Sequence, residues 1–211
     1  MAVSAKKATT RTRLLDAATT VFGRKGFADA TIAEICDEAQ ANIAAVNYHF
    51  GSKEELYKAA WVHAFEQSNP SGDMSFDATG DSPRERLRYL ILQLIRRITN
   101  PDNSAFAIME QEFAHPTGLL GGIVAQTLAP HKERFNTQIA EIMGASATTD
   151  AVDMCRISII AQCFHLNQLT KSMPTHGNPL RNGTFDPALY AEHVCRFSLG
   201  GIEAIRKELE A

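Results

Sequence analysis

Residues 31–50 read TIAEICDEAQ ANIAAVNYHF and contain the pattern from which the fold can be predicted. Thr31 can cap a short helix, and Glu34, three residues later, has the spacing of a capping box. A break at residues 40–42 separates that helix from a second short one at residues 43–49. Two short helices joined by a three-residue break predict a helix-turn-helix unit.

Helical periodicity continues on both sides of this unit. Residues 11–25 repeat apolar side chains at helical spacing, and Gly26 follows as a helix-ending glycine. On the other side, Ser52 has Glu55 three residues on, again the spacing of a capping box, and a broad apolar stripe reaches Phe65. The polar stretch 68–82 then marks a boundary. We therefore predict one domain at residues 8–66 and a second at residues 67–211.

The second domain also has helical spacing throughout. Pro83 suits the first position of a helix, because its missing amide would have no intrahelical partner there. The pattern predicts helices at residues 83–99, 103–114, 118–143, 149–169 and 187–209, with a break or kink at Pro130 and a loop at 171–185. No segment alternates like a strand. The expected fold is all-α with about nine helices.

Composition excludes several classes of protein. The chain has 211 residues, of which 45% are hydrophobic and 21% charged, as in globular proteins. The longest run without Lys, Arg, Asp or Glu, residues 113–131, contains Pro116 and three glycines, so we expect no membrane span. The N-terminus lacks the apolar stretch of a signal peptide, and the four cysteines form no CxxC. We expect a protein of the reducing cytoplasm.

The formal net charge of -3 conceals an uneven distribution. Residues 1–25 carry six basic residues and one acidic residue, whereas residues 67–211 carry a net charge of -3. A basic segment beside a helix-turn-helix is typical of DNA binding, because it neutralises phosphate charge.

The second short helix has side chains suited to reading DNA. Ala44 and Ala45 permit close approach to the groove floor, and Asn47 can bond base edges or phosphate. Tyr48 and His49 can reach phosphate oxygens. The predicted DNA-binding residues are Thr31, Ile43, Ala44, Ala45, Asn47, Tyr48, His49 and Lys53. Asn47 could instead be exposed without a contact, and Tyr48 or His49 could be structural.

Four segments resemble a known family. They read RLLDAA at residues 13–18, FGRKGF at 22–27, ATIAEI at 30–35 and YHFGSKEEL at 48–56. Residues 11–58 thereby resemble the DNA-binding domain of the TetR/AcrR family of transcriptional repressors. The resemblance implies that helix 43–50 enters the major groove and that Lys53 contacts phosphate. Residues 44–47 depart from the usual family pattern, and AVNYHF at residues 45–50 is similar to the CecR-like branch.

The resemblance also implies a C-terminal domain that dimerises and encloses a ligand pocket. The candidate pocket residues are Phe106, Met109, Glu110, Phe113, Phe135, His165 and Gln168, which suit a small apolar or aromatic ligand. Each aromatic or Met side chain could instead be ordinary core. Helices near 150–169 and 187–209 are apolar on several sides, which predicts a homodimer through a four-helix bundle.

The sequence lacks several motifs that mark enzymes and metal-binding proteins. No GxSxG, HExxH or GxGxxG occurs, which argues against an enzyme of those classes. Four histidines of the C-terminal region, at positions 115, 165, 176 and 193, have no metal-ligand spacing, so we expect neither metal nor cofactor. We predict a homodimeric repressor that binds palindromic operator DNA and is released by a small effector. An activator of the same family and a helical partner-binding protein without DNA contact are the alternatives.

Overall fold

The computed structural model describes residues 9–68, 82–100, 102–172 and 186–211, and the side chains in these ranges except those of 167–172. Within these ranges the chain forms nine α-helices, one 3-10 turn at Gly144–Ser146 and no strand. The helices are α1 (Thr10–Asp29), α2 (Ile32–Ala39), α3 (Ile43–Phe50), α4 (Lys53–Gln67), α5 (Pro83–Thr99), α6 (Ser104–Ala114), α7 (Gly121–Met143), α8 (Thr149–Ser172) and α9 (Pro187–Glu210). The all-α prediction is confirmed.

Two helices differ from their predictions. Gly26, with a φ of 75°, interrupts α1 as predicted, but a short helical segment continues to Asp29. Helix α7 runs through Pro130 as one continuous helix, so of the break or kink predicted there, the break does not occur. The predicted loops at 68–82 and 171–185 lie mostly outside the described residues.

The predicted capping boxes of α2 and α4 form only in part. The hydroxyls of Thr31 and Ser52 each accept a hydrogen bond of 3.2 Å from the amide three residues on. The carboxylates of Glu34 and Glu55 do not return to these caps, because each forms an ion pair with a basic side chain. A complete capping box occurs in α5, where Ser82 precedes Pro83.

Contacts divide the described chain into two compact units. The first contains α1 to α4, α6 and the start of α7 as far as Thr127. The second contains α5, α7 from Leu128, α8 and α9. Helix α6 belongs to the first unit because it packs on α1 and α4. These units differ from the predicted domains at 8–66 and 67–211, because residues 102–127 belong to the first unit. The division into two functional domains stays a prediction.

The first unit has an aromatic core that joins α1, α4 and α6. The rings of Phe22 and Tyr57 meet edge to face, with their centroids 4.8 Å apart, and Trp61 is buried beside them on α4. Gly23 permits the close crossing of α1 and α6, since a Cβ there would lie 3.2 Å from the Cβ of Ala107. Helices α1, α4 and α6 are thereby held together in the unit that also contains the short helices α2 and α3.

A buried polar contact also ties α4 to α6. The hydroxyl of Tyr57 donates to Oε2 of Glu112 at 3.1 Å, and Thr117 donates its amide and hydroxyl to the same carboxylate. Burial first, and the nearby Glu112 charge second, raise the pKa of Tyr57. Tyr57 therefore stays a hydrogen-bond donor at physiological pH.

The second unit has a largely aliphatic core. Its four helices contribute fully buried side chains, among them Leu87, Ile91, Ile95, Ile139, Ile159, Cys163, Val194 and Ile202. All four cysteines of the chain carry free thiols and are buried. Among the described helices, none combines the length and the apolar character that crossing a membrane requires.

We expect Tyr57→Phe to lower the free energy of unfolding by about 1–2 kcal/mol, because it removes a hydrogen bond to a charged, half-buried acceptor. Urea unfolding followed by the fluorescence of Trp61 measures the change. Tyr48→Phe is the matched control, since the Tyr48 side chain is 84% exposed and should leave stability unchanged. Equal stability of the two variants would contradict the structural importance of the contact.

Candidate nucleic-acid interface

Helix α3 presents most of its surface to solvent. Val46 is its one fully buried residue. The opposite side exposes Ile43, Ala44, Asn47 and Tyr48, which lie at i, i+1, i+4 and i+5 and therefore share one face. A helix with a single anchoring residue and a broad exposed face has the form of a helix that lies in a groove.

The turn that precedes α3 is built from local hydrogen bonds. Gln40 ends α2 in the left-handed conformation, with φ 49° and ψ 49°, and its amide donates to the carbonyl of Asp37. Asn42 then caps α3, since its side-chain oxygen accepts from the amide of Ala45 at 2.9 Å. Gly51, with a φ of 80°, ends the helix. Both ends of the eight-residue helix are thereby defined.

Arg13 on α1 holds this turn in place. Its Nη1 donates to the carbonyls of Ala39 at 3.0 Å and Gln40 at 3.2 Å, and its Nη2 donates to Oγ1 of Thr10 at 3.3 Å. Arg13 thus satisfies backbone oxygens at the end of α2 that have no intrahelical partner. From the sequence alone Arg13 is one of several residues of the basic segment, and no local pattern indicates this structural role.

Side chains suited to phosphate contact flank α3. Thr31 is exposed at the start of α2, while the half-buried His49 ring lies edge to face with Tyr48, with their centroids 4.9 Å apart. Lys53 lies in the first turn of α4 with its Nζ 4.5 Å from the centre of the Phe27 ring. Of the predicted residues, Ile43, Ala44, Asn47 and Tyr48 lie on the exposed face of α3, Thr31 and Lys53 lie at the starts of α2 and α4, and Ala45 and His49 are half-buried on α3.

The basic segment is more fully paired than its net charge suggests. Arg24 and Lys25 both contact the carboxylate of Glu34 at 2.9 Å, and these contacts, that of Lys25 first, lower the pKa of Glu34. Arg11 lies over the Phe50 ring, 5.4 Å from its centre. Lys6 and Lys7 fall outside the described residues.

A groove of about 580 Å³ lies beside the exposed face of α3. Its lining residues come from the start of α1, the turn and α3: Thr10, Arg13, Gln40, Ala41, Asn42, Ala44, Ala45, Tyr48 and His49. Thr10, Gln40 and Asn42 were not predicted as site residues. The capping preference of Asn before an apolar helix could have identified Asn42, whereas Thr10 approaches only through the fold.

Comparisons with known proteins agree with this geometry. Residues 14–60 match the profile of bacterial regulatory proteins of the tetR family, and residues 83–202 match the C-terminal domain of the HTH-type transcriptional dual regulator CecR. The CecR of Shigella flexneri is 31% identical over 157 residues, which cover 69% of this chain and 70% of that protein. The chain belongs to the TetR family of bacterial transcriptional regulators.

Solved structures of this family share the fold of the new member. MexZ of Pseudomonas aeruginosa, a repressor, superimposes with a TM-score of 0.68 at 21% identity over 92% of this chain and 94% of that one. A TetR-like regulator from Rhodococcus sp. RHA1 gives a TM-score of 0.64 at 19% identity over 94% and 98%. The resemblance inferred from the sequence is confirmed.

The predicted ligand residues of this TetR-family regulator fall in both units. On α6, Phe106, Met109 and Glu110 are half-buried, and the side chain of Phe113 is 60% exposed. In the second unit, Phe135 is buried in the core and His165 lies on the exposed face of α8. The side chain of Gln168 lies outside the described residues. Their assignment to one pocket stays a prediction.

The structure also bears on metal binding by this TetR-family regulator. Within the part of the chain that the structure describes, no three His, Cys, Asp or Glu side chains are placed to hold a metal ion.

We expect Gln40→Gly to raise the free energy of unfolding by about 0.5–1 kcal/mol, because glycine adopts the left-handed conformation without steric cost. Gly51→Ala is the opposite control, since the φ of 80° at Gly51 disfavours a side chain. Urea unfolding of both variants measures the changes. A Gln40→Gly protein less stable than the wild type would contradict this prediction. It would show that the Gln40 side chain stabilises the fold by more than its left-handed backbone conformation costs.

Proposed function

We propose that this TetR-family regulator binds palindromic operator DNA as a homodimer and acts as a repressor released by a small effector. The observation that carries the proposal is the exposed face of α3. Hydrogen bonds from Arg13 hold the turn before this helix, and groups that can bind phosphate flank it. Such a protein works in the bacterial cytoplasm, where its operator lies.

Helix α3 enters the major groove in this proposal. Ala44 and Ala45 let its backbone approach the base edges, and Ile43, whose side chain is 53% exposed, can contact a thymine methyl group. Asn47 offers both a donor and an acceptor, which suits the paired acceptor and donor of adenine. Bases would therefore be read from the face opposite Val46.

Phosphate contacts fix the register in this proposal. Thr31 presents its amide and hydroxyl at the start of α2, and Tyr48 and His49 extend from the end of α3. Lys53 is partly occupied, since its Nζ lies 3.5 Å from the carbonyl of Ala28. That contact is long and exposed, so a phosphate can replace it at little cost.

The proposed dimer rests on two exposed apolar stripes in the second unit. On α8, the exposed residues Met154, Ile157, Ser158, Ala161 and His165 recur at helical spacing. On α9, the stripe comprises Leu189, His193, Phe197, Gly200, Gly201 and Ala204. Helices α8 and α9 pack together, so the stripes can form one surface. Burial of this surface against a second copy in a four-helix bundle removes it from water.

The small residues of α9 favour a close two-fold contact. A Cβ at Gly200 or Gly201 would meet nothing within 4 Å, so the fold of one subunit does not require glycine there. Each costs about 1 kcal/mol relative to alanine in mid-helix. Close approach of a partner helix accounts for keeping both, and the dimer would place two α3 helices about 34–36 Å apart.

Release by an effector requires a difference in affinity between two states. A ligand bound in the C-terminal domain must favour the state in which the α3 helices no longer match successive grooves. Titration of small aromatic compounds against the protein–operator complex tests this step, and release of the DNA is the expected result.

A second candidate function follows from the name of a relative. CecR of Shigella flexneri is described as a dual regulator. The same operator binding would then repress or activate according to where the operator lies in a promoter. Genome-wide footprinting with transcript measurements separates the two functions, and protection at no site would favour the partner-binding alternative.

We expect Lys53→Ala to weaken binding to all operator sequences and to lower the slope of log K against log salt concentration by about 0.9 for each subunit. Fluorescence anisotropy at several salt concentrations measures the slope. Lys58→Ala is the matched control on the same helix, since Lys58 pairs with Glu55 at 2.8 Å. A slope unchanged by Lys53→Ala would remove Lys53 from the phosphate contacts.

We expect Phe197→Glu to convert the dimer to a monomer at micromolar concentration, because it places a charge in the apolar stripe. The subunit should stay folded, since the Phe197 side chain is 67% exposed. Sedimentation velocity measures the state. Ala188→Glu adds the same charge to an exposed position of α9 outside the stripe and should stay dimeric. A wild-type monomer would contradict the interface.

A further inference from the structure

Arg13 lies beside the candidate interface, but its guanidinium is already occupied. The side chain lines the groove next to the exposed face of α3. Both terminal nitrogens of the guanidinium donate hydrogen bonds: Nη1 to the carbonyls of Ala39 and Gln40, and Nη2 to Oγ1 of Thr10. A cation whose donors point at acceptors of its own chain has less to offer a phosphate than its place in the basic segment suggests.

The carbonyls that Arg13 bonds belong to the turn that leads into α3. Gln40 ends α2, and Asn42, two residues later, caps α3. A displacement of these carbonyls is therefore passed to the start of α3 within two residues. Since Val46 is the one fully buried residue of α3, packing constrains this helix less than it constrains α1 or α4. The bonds from Arg13 join the turn to the well-buried helix α1 across 26 residues of sequence.

Base reading and phosphate contact depend on this arrangement to different degrees. A hydrogen bond to a base edge needs a donor–acceptor distance of about 2.9 Å and good alignment, so a small rotation of α3 removes it. A phosphate contact is dominated by charge and tolerates such a rotation, because the attraction between charges falls slowly with distance. Loss of the bonds from Arg13 should therefore lower discrimination between DNA sequences more than it lowers affinity for DNA in general.

We propose that Arg13 is a positioning residue that sets the sequence specificity of operator binding through α3, without contacting DNA. The inference rests on the proposed function and deepens it. The planar guanidinium fork reaches two carbonyls and a hydroxyl at once. A lysine ammonium, which is a point charge on a flexible stem, does not reproduce this arrangement. Arg13→Lys therefore removes the geometry and keeps the charge, whereas Arg13→Gln removes both.

The test compares selected DNA with unrelated DNA on the full-length protein. The probes are a duplex that the wild type selects from a random-sequence library and a scrambled duplex of the same composition. Fluorescence anisotropy at several salt concentrations gives the ratio of the two affinities and the salt slope for each duplex. We expect Arg13→Lys and Arg13→Gln both to lower the affinity ratio about tenfold, while the salt slope on the scrambled duplex stays unchanged.

Arg11→Gln is the matched control for charge. Arg11 is exposed on the same helix, two residues before Arg13, and its guanidinium lies over the Phe50 ring. Its loss changes the net charge as Arg13→Gln does, but we expect the affinity ratio to stay at the wild-type value. An equal loss of the ratio in Arg11→Gln would show that charge at the start of α1, and not the guanidinium fork, sets specificity.

A second measurement separates positioning from a general loss of stability. Amide hydrogen exchange in Arg13→Lys should become faster in the turn at residues 40–42 and at the start of α3. It should stay at wild-type rates in the aromatic core around Phe22 and Tyr57. Faster exchange throughout the first unit would mean that Arg13 only stabilises the fold, and would overturn the proposal.

Two further results count against Arg13 as a positioning residue. One is an affinity ratio that Arg13→Lys retains, since the charge alone would then suffice. The other is a salt slope lowered by about 0.9 for each subunit in Arg13→Gln, which marks a phosphate contact. Both leave selective DNA binding by the wild type intact. A wild type that selects no sequence, or binds the two duplexes equally, rejects the proposed function itself.

Discussion

The hydrogen bonds from Arg13 to the carbonyls of Ala39 and Gln40 are the contact on which the candidate interface depends. A helix that reads DNA must leave most of its surface exposed, so burial cannot hold it firmly. Helix α3 buries Val46 and little else. Its orientation is therefore also fixed by the turn before it, where a left-handed residue, a capping side chain and a guanidinium add to the single hydrophobic anchor, Val46. Helix α1 supplies that guanidinium, which makes α1 part of the interface.

The basic side chains Arg24 and Lys25 are also held by weak contacts. Arg24 and Lys25 share the carboxylate of Glu34, yet their side chains are 57% and 41% exposed. Exposed ion pairs contribute about 0–1 kcal/mol, so they keep side chains ordered without holding them strongly. A phosphate that competes for either cation meets little resistance. The net charge alone is then a poor guide to the DNA interface, because some of its basic side chains already form ion pairs within the protein.

Local signals in the sequence predicted the helices and their ends, whereas the packing of the helices depends on contacts between residues far apart in the sequence. Thr31 caps α2 through an amide three residues away, as predicted, and Gly26 interrupts α1 through its own backbone, although a short helical segment follows it. Gln40 was missed because a left-handed residue other than glycine leaves no compositional sign. The membership of α6 in the first unit depends on Gly23 meeting Ala107, and no local pattern indicates that pair. Pro130 was expected to break or kink α7, since proline removes a backbone donor, and helix α7 continues through it without a break.

The position of α6 bears on how a structural change in this helix could be transmitted to α3. Helix α6 carries Phe106, Met109, Glu110 and Phe113, and it is tied to α4 through the bond between Tyr57 and Glu112. Its other close contact is with α1, the helix that carries Arg13. Packed interiors transmit displacement because they do not deform continuously. A displacement of α6 would therefore bear directly on α1, the helix that carries Arg13, within one compact unit.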